Sequence, residues 1–197
     1  MMETKREIRA RILRKRRCLT PEWVRTNSQR IVAQLIKLPE FKLADTVCLY
    51  MALPGEVRVD EAMPTCWQAG KRVLVPAYNR DSKSYGFKPV KPQTKMAAGL
   101  WNVAEPLNEE WAAIEGRSII VVPGVAFDDE GSRVGHGKGY YDQLLTPFSG
   151  KNSCNMKIGV CFDFQRVEKI ACEPWDIAMD RVLTEKELRT GTRSQQK

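Results

Sequence analysis

The residues of this chain best suited to chemistry are three alternating glycines and two neighbouring cations. They are Arg133, Gly135, Gly137, Lys138 and Gly139. Glycines allow backbone N–H groups to approach an anion closely, and a helix that begins just after them would present further unpaired N–H groups. The two cations add full positive charge to the same segment. We therefore predict a phosphate-binding loop.

The spacing in this loop differs from that of two familiar nucleotide-binding motifs. Lys138 is followed by Gly139 rather than by Ser or Thr, so the Walker A pattern is not met. The glycines also lack the spacing of the dinucleotide fingerprint. The alternative interpretation is a glycine-rich surface loop that carries two solvated cations.

His136 is the single histidine of the chain. One histidine argues against a Ser-His-Asp hydrolase, a Cys-His protease and a zinc centre with several histidine ligands. We expect His136 to line the loop rather than to act as a base. Catalysis must then rest on carboxylates, on cations, on a metal held by oxygen ligands or on groups of the substrate itself.

Acidic residues that follow or precede predicted strands are the next candidates. Glu56 follows a strand that ends near Met51, and Asp142 lies just beyond the glycine loop. Asp176 and Asp180 come before the last strand. Mg²⁺ typically takes one or two carboxylates together with nucleotide phosphates and water, so we predict Asp142 and Asp176 as its ligands, with Asp180 as a further candidate. The alternative for each aspartate is a loop or helix cap.

Aromatic side chains in these segments are candidates for stacking against a flat substrate ring. They are Tyr78, Trp101, Phe127, Tyr140 and Tyr141. Trp101 stands in a loop-like context, where a large aromatic side chain needs some partner. For most of the others, packing in the core is the alternative interpretation.

Alternating helices and strands would position these residues. Apolar periodicity and capping signals predict helices over residues 3–18, 20–38, 59–69 and 108–114, another from Tyr140, and a last one that begins at Thr184. Short apolar runs predict strands over residues 46–51, 73–76, 85–90, 118–122, 157–162 and 182–183. Several strands are uniformly apolar, which favours a three-layer α/β fold with a mainly parallel sheet and helices on both faces.

Ligands of such folds bind beyond the carboxyl ends of the strands. The loops after Met51, Pro76, Val122 and Phe162 are therefore expected to share one crevice. We expect residues 1–190 to form a single domain and residues 191–197 to form a disordered tail.

The net charge of +8 over 197 residues is unevenly distributed. Residues 1–30 hold 10 Lys or Arg against 3 Asp or Glu, and the remaining residues hold 22 against 21. A nucleic-acid-binding protein would favour a basic surface spread over the fold, with interleaved aromatic residues. We therefore favour a local anion site built with the first helix, and a solvated basic helix is the alternative.

The composition indicates a cytoplasmic protein. Six scattered cysteines without a Cys-x-x-Cys pair favour reduced thiols over a disulfide framework. No apolar stretch approaches the roughly 20 residues of a membrane span, and the charged N-terminus does not have the pattern of a signal peptide. We expect a monomer that binds neither nucleic acid nor a membrane.

In five places, taken in order, the chain resembles the 5-formyltetrahydrofolate cyclo-ligase family, also called methenyltetrahydrofolate synthetases. The places are Lys5–Arg9, Met51–Glu56, Leu100–Asn102, Pro123–Asp142, and Trp175–Ile177 before Val182–Thr184. The resemblance implies a fold similar to that of sugar-phosphate isomerases and CoA-transferases. It also implies an enzyme that uses MgATP to convert 5-formyltetrahydrofolate to 5,10-methenyltetrahydrofolate, ADP and phosphate through an iminium phosphate.

The resemblance further implies roles for individual residues. ATP would be bound by Lys5, Arg6, Arg9, Arg133, Val134, Gly135, His136, Gly137, Lys138, Gly139, Tyr140 and Tyr141. The folate would be bound by Met51, Glu56, Trp101, His136, Gly137, Lys138, Gly139, Tyr140 and Tyr141. Arg133, Lys138 and Tyr140 would be catalytic, and Asp142 and Asp176 would hold Mg²⁺. Phosphoryl transfer asks a protein mainly for positioning and charge neutralisation, so a chain with one histidine suits this reaction.

Two other functions stay open at this point. A sugar-phosphate isomerase or CoA-transferase relative would use the same glycine loop without ATP, but Trp101 and the Lys5/Arg9 pair would then have no evident use. A nucleic-acid-binding protein would act through residues 1–30, and its binding would depend steeply on salt.

Overall fold

The structure, a computed structural model, describes residues 3–107, 109–148 and 155–191. Its helices are α1 (Lys5–Arg17), α2 (Pro21–Leu35), α3 (Pro39–Leu43), α4 (Met63–Gln68) and α5 (Tyr140–Leu145). Its strands are β1 (Thr46–Cys48), β2 (Arg72–Asn79), β3 (Ser84–Pro89), β4 (Met96–Ala98), β5 (Ala104–Pro106), β6 (Ser118–Pro123), β7 (Ala126–Phe127), β8 (Arg133–Val134), β9 (Asn155–Val160), β10 (Arg181–Leu183) and β11 (Leu188–Thr190). Short 3₁₀ turns cover Val59–Ala62, Leu100–Asn102, Thr146–Phe148 and Asp163–Gln165.

Seven of these strands form one sheet in the order β11-β10-β9-β6-β1-β2-β3. The five inner strands, β10, β9, β6, β1 and β2, pair in parallel with their neighbours. The two edge strands β3 and β11 are antiparallel to the strands beside them. The mainly parallel sheet predicted from the apolar runs is therefore confirmed.

Successive residues of the inner strands point to opposite faces of the sheet, as the strand period requires. Val47 and Leu49 pack with α2, α3 and α4 on one face, whereas Cys48 packs on the other. The second face is covered by α5, through Leu144 and Leu145, and by residues around Phe127 and Met179. Helices cover both faces, so the three-layer arrangement is confirmed.

Each of the first two helices is capped by a threonine, Thr4 in α1 and Thr20 in α2, and the second cap was predicted. Thr4 and Glu7 form a capping box: the Glu7 carboxylate accepts the Thr4 N–H at 2.8 Å, and the Thr4 hydroxyl accepts the Glu7 N–H at 3.3 Å. The Thr20 hydroxyl accepts the N–H of Trp23 at 3.2 Å, and Pro21 occupies the first turn of α2. These contacts satisfy N–H groups that have no partner inside the helix.

The α1 helix packs away from the main sheet, against the β7–β8 hairpin. Ile8 and Ile12, both fully buried, form a small core with Val125, Val134 and Ile170. The apolar stripe that predicts α1 is therefore the surface that fixes it beside the glycine loop. The hairpin was not predicted because each of its strands has only two residues.

The helix predicted over residues 108–114 is wrong for the part that the structure describes, residues 109–114. Ala112 forms an isolated bridge with Phe87, and its N–H donates to the Phe87 carbonyl at 2.9 Å. Ala112 and Ile114 pack into the core, whereas Trp111 lies over Gly86. This two-residue alternation belongs to an extended segment along the sheet edge, and that tertiary contact overrides the local helical signal.

The helix predicted after Thr184 is also wrong. The Thr184 hydroxyl accepts the N–H groups of Lys186 at 3.2 Å and of Glu187 at 3.1 Å. The chain then turns back as β11, antiparallel to β10. A threonine hydroxyl stabilises a turn by the same bonds with which it caps a helix, so the local pattern could not distinguish the two.

At the end of the described chain, the Gly191 N–H donates to the Asp180 carbonyl at 2.8 Å. The rest of the predicted tail, residues 192–197, lies outside the described residues. Among the residues described, no helix has both the length and the apolar character needed to cross a bilayer.

Candidate active site

A cavity of about 550 Å³ opens beside the carboxyl ends of the inner strands. Met51 lies just after β1, Pro76 lies in β2 and Pro123 ends β6, and all three line it. The fourth loop predicted to line the crevice follows Phe162, but Phe162 itself is fully buried in the core. The remaining lining comes from α1, from the glycine loop and from residues around Glu105 and Trp175.

The glycine loop, residues 135–139, runs from β8 to the start of α5 and lines the cavity along its whole length. Val134, fully buried, anchors its first end. Gly137 has a φ of +88°, and a Cβ there would lie 3.5 Å from the guanidinium carbon of Arg9. Glycine at this position therefore allows the left-handed backbone, and the loop lies in van der Waals contact with Arg9.

Cations from two parts of the chain meet at this loop. The Arg9 guanidinium donates to the Gly135 carbonyl at 2.8 Å, and Lys5 pairs with Asp176. Arg133, on β8, is buried and donates to Asp142 at 2.7 Å. We call Lys5, Arg9, Arg133 and residues 135–139 the cationic wall. Arg6 was predicted with this group but is exposed, and it does not belong to the cavity lining.

Asp142 and Asp176 both line the cavity, each beside a cation of the cationic wall. No group of three or more His, Cys, Asp or Glu side chains among the described residues could hold a metal ion by itself. Two carboxylates that share a cavity with the glycine loop still suit Mg²⁺, which in nucleotide sites completes its shell with phosphate oxygens and water. Asp180 is placed differently, since it accepts the Lys157 N–H at 2.7 Å and lies outside the cavity lining.

Glu56 stands at the junction between the cationic wall and the rest of the cavity. Only 6% of the residue is exposed. One carboxylate oxygen lies 3.2 Å from Nε2 of His136 and 3.5 Å from Arg16, and the other accepts the Leu53 N–H at 3.1 Å. The Leu53–Glu56 turn, in which the Glu56 N–H donates to the Leu53 carbonyl at 2.9 Å, directs this carboxylate into the cavity.

Four tyrosines form a continuous chain of ring contacts that reaches the cavity. The ring centroids are 4.9 Å apart for Tyr78 and Tyr85, 4.2 Å for Tyr85 and Tyr140, and 4.9 Å for Tyr140 and Tyr141. Burial raises the pKa of Tyr140, and nearby Glu105 and Tyr85 raise it further. Burial likewise raises the pKa of Tyr141. Both hydroxyls therefore stay protonated at neutral pH and can act as hydrogen-bond donors.

Glu105, on β5, is a cavity residue that the sequence did not identify. Its carboxylate accepts the N–H of Leu100 at 3.1 Å and that of Tyr78 at 3.4 Å. We call Glu56, Glu105 and the adjoining Met51 the acidic wall. No local motif marks Glu105, because its importance comes from the contact between two segments that are far apart in sequence. Its only signal was its place three residues after the end of the Leu100–Asn102 segment.

Two predicted aromatic candidates have different outcomes. Phe127 is fully buried beneath the sheet, so it cannot stack on a ligand. The backbone of Trp101 forms part of a 3₁₀ turn, Leu100–Asn102, at the cavity, but its side chain lies outside the described part of the structure. Trp175, which was not among the stacking candidates, lines the cavity and is 69% exposed.

The fold and the cavity define an α/β protein whose candidate active site lies beyond the carboxyl ends of parallel strands. The sequence model of the 5-formyltetrahydrofolate cyclo-ligase family matches residues 1–185, and the chain belongs to that family. The resemblance found in the five sequence segments is thus confirmed.

Curated relatives and solved structures agree with this assignment. The chain is 30% identical to a 5-formyltetrahydrofolate cyclo-ligase of Escherichia coli, over 88% of this chain and 96% of the relative. It is 31% identical to a probable 5-formyltetrahydrofolate cyclo-ligase of Schizosaccharomyces pombe, over 81% and 84%. The structure of an Aquifex aeolicus 5,10-methenyltetrahydrofolate synthetase is similar with a TM-score of 0.79 and 34% identity, covering 95% of this chain and 92% of that one.

Proposed function

We propose that this enzyme converts 5-formyltetrahydrofolate to 5,10-methenyltetrahydrofolate with the consumption of ATP. The observation that carries the proposal is one cavity in which a glycine loop with Arg9, Arg133 and Lys138 meets the buried carboxylate of Glu56. Cations and exposed backbone amides suit a triphosphate. A carboxylate that accepts N–H groups suits the ring nitrogens of a pterin.

The proposed reaction needs no nucleophile from the protein. The formyl oxygen attacks the γ-phosphorus of ATP, the bond from that phosphorus to the bridging oxygen breaks, and ADP leaves. The nitrogen N10 of the folate then attacks the activated formyl carbon. Its proton is released, the carbon–oxygen bond breaks, and phosphate departs with the former formyl oxygen. The protein's task is to bind, orient and neutralise charge.

The cationic wall would bind the triphosphate. Lys5 and Arg9 would approach it from α1, and Arg133, Lys138 and the loop amides from the other side. Mg²⁺, bound with the nucleotide, would neutralise phosphate charge and be held by Asp142 and Asp176. Both aspartates pair with cations of the cationic wall, so binding would exchange carboxylate–cation pairs for phosphate–cation pairs.

The acidic wall would bind the folate. Glu56 would accept hydrogen bonds from the pterin, with Met51, Trp101 and Tyr141 along the ring. Tyr140 lies at the start of α5, between the loop and Glu105, and its protonated hydroxyl would donate to the transferring phosphoryl group or to the formyl oxygen. Arg133, Lys138 and Tyr140 are therefore the proposed catalytic residues.

The experiment is to follow the absorbance of the methenyl-folate product with 5-formyltetrahydrofolate, Mg²⁺ and ATP. Parallel samples omit ATP or replace it with a non-hydrolysable analogue. Product formation that requires hydrolysable ATP supports the proposal. Product formation without ATP, or none from folded protein that still binds ATP, would contradict it.

The same protein sample tests the two alternatives. A sugar-phosphate isomerase or CoA-transferase relative would act on its substrates without ATP. A nucleic-acid-binding protein would retain DNA or RNA through residues 1–30 even when the glycine loop is changed.

We also propose that the enzyme is a cytoplasmic monomer with one ATP- and folate-binding domain. The free, buried thiols of Cys48, Cys66 and Cys161 are in keeping with a reducing compartment. Light scattering with and without ligands tests the monomer.

A further inference from the structure

Arg16 is a charged residue in an unusual position near the end of α1. Only 6% of it is exposed, whereas its neighbour Arg17 is exposed. Arginine is rarely buried in this way unless it is paired. The guanidinium donates to the Pro54 carbonyl at 3.2 Å and lies 3.5 Å from the Glu56 carboxylate.

The turn that carries Glu56 is fitted around this guanidinium. Gly55 has a φ of +77°, and a Cβ there would lie 3.5 Å from both Nε and the carbonyl oxygen of Arg16. The positive φ is the reason that the turn needs a glycine at this position, and the turn lies in van der Waals contact with the arginine. Another guanidinium nitrogen of Arg16, Nη1, is buried and has no hydrogen-bond partner among the described residues.

The stability of the fold does not explain a buried cation that lacks some of its hydrogen bonds. Burial of an ion pair costs desolvation free energy, and a well-packed apolar side chain often serves the fold as well or better. Buried polar groups that lack a partner call for a specific explanation. The explanation available here is the neighbour of Arg16, because Glu56 lines the cavity and Arg16 does not.

The α1 helix connects this pair to the cationic wall. Arg9 and Arg16 are seven residues apart, close to two helical turns, and so lie on the same side of α1. Arg9 contacts the glycine loop at Gly135, and Arg16 contacts the Glu56 turn. Glu56 is in turn contacted by His136 of the same loop. One rigid helix thus holds both walls of the cavity in register.

We propose that Arg16 is a positioning residue that fixes the direction of the Glu56 carboxylate for the folate. This rests on the proposed function. Arg16 does not touch the substrate; it supplies the cation behind Glu56 and closes the turn around it. With Arg16 in place, Glu56 meets the folate as an oriented carboxylate, and little order has to be gained on binding.

The experiment compares Arg16→Met with Arg17→Met, which removes an equal charge one position further on. We expect Arg16→Met to raise the KM for the folate by about ten- to hundredfold, the range for losing a hydrogen bond to a charged group. The KM for ATP should be unchanged. Arg16→Lys, which keeps the charge, should recover part of the loss, and Arg17→Met should match the unaltered enzyme. Direct folate binding is measured alongside.

A merely structural role gives a different pattern. It would lower the melting temperature and the active fraction, and hence kcat, with both KM values unchanged, and that result would overturn the proposal. Failure of the unaltered enzyme to form product would instead refute the proposed function, so the two failures are distinguishable.

A double-mutant cycle with Glu56→Gln is a second test of the role proposed for Arg16. Glu56→Gln alone should raise the KM for the folate more than that for ATP. Adding Arg16→Met to it should then have little further effect, because Arg16 acts through the carboxylate. This double variant has no unpaired buried charge, so it remains informative even if Arg16→Met alone does not fold. Multiplied effects of the two substitutions would overturn the proposal.

Discussion

The cationic wall and the acidic wall of the cavity are built in different ways. Most of the cationic wall is one continuous segment, from Arg133 through Gly139, and its other members come from a single helix. The acidic wall joins Glu56 from a turn after β1 to Glu105 from β5, a separate two-stranded ribbon. The charges and the backbone shape of the cationic wall come mostly from residues that are neighbours in the sequence. The acidic wall forms only when distant segments come together on folding.

This difference predicts how each wall responds to substitution. Removal of an exposed loop cation has little effect on the stability of the fold, so its loss reports mainly on binding and catalysis. A carboxylate that bridges distant segments holds those segments together as well. Substitutions in the acidic wall should therefore combine smaller kinetic effects with a loss of stability.

The largest effect is expected for Asp142→Asn, beside the cationic wall. The substitution removes the charge that pairs with Arg133 at 2.7 Å and a proposed Mg²⁺ ligand. We expect kcat to fall by about 10²- to 10³-fold, as for the loss of one preorganised electrostatic group. A Mg²⁺ titration of ATP binding and of turnover measures it, with the exposed Asp81→Asn as control. An unaltered Mg²⁺ dependence would remove Asp142 as a ligand.

The next effect is expected for Lys138→Ala, in the exposed part of the glycine loop. Its ammonium is proposed to contact the triphosphate, so kcat/KM for ATP should fall by about ten- to hundredfold. The melting temperature should stay the same. The comparison is with Lys91→Ala, an exposed lysine outside the cavity lining. Normal ATP kinetics in Lys138→Ala would contradict the phosphate assignment of the loop.

Glu105→Gln tests the acidic wall and should have a smaller kinetic effect. A glutamine would turn an N–H donor toward the N–H of Leu100 or of Tyr78, which the carboxylate now accepts. We expect the KM for the folate to rise about tenfold and the melting temperature to fall. Exposed Glu110→Gln is the matched control. If the KM for ATP rose instead, Glu105 would belong functionally to the cationic wall.

The smallest effect is expected for Tyr140→Phe, at the border of the two walls. Because burial raises the pKa of Tyr140, its hydroxyl is a neutral donor both below and above neutral pH. Its removal should lower kcat by roughly threefold to tenfold, the value of one neutral hydrogen bond. The factor by which kcat falls should be the same at every pH from about 6 to about 9, below the ordinary tyrosine pKa. A loss confined to alkaline pH would show that the hydroxyl titrates.

The two walls also differ in how far the sequence alone could predict them. Gly137, Arg133 and Asp142 lie within ten residues, and their types and spacing already indicate an anion site. The buried strands β1, β2, β6 and β9 were predicted for the same reason, since a continuous apolar run is a local signal. Local signals also gave two wrong helices, at residues 108–114 and after Thr184, where pairing with a neighbouring strand decided the structure.

Glu105 and the Arg16–Glu56 pair had no comparable signal. Arg16 continues the four-residue spacing of buried Ile8 and Ile12 and so differs from exposed Arg17, but this spacing does not indicate its partner. Its burial depends on the turn around Gly55, almost 40 positions away. Contacts of this kind follow from the tertiary packing of several elements and cannot be obtained from composition or periodicity.

The packing of α1 also has a consequence for the order of folding during synthesis. The apolar partners of Ile8 and Ile12 are Val125, Ala126, Val134 and Ile170, all from the second half of the chain. Strands β1, β2 and β3 pair with one another and with helices from the first half, so they have partners early. The α1 helix therefore lacks these apolar partners until the second half of the chain has followed it. It is among the last elements to dock, because such distant contacts are slow to form.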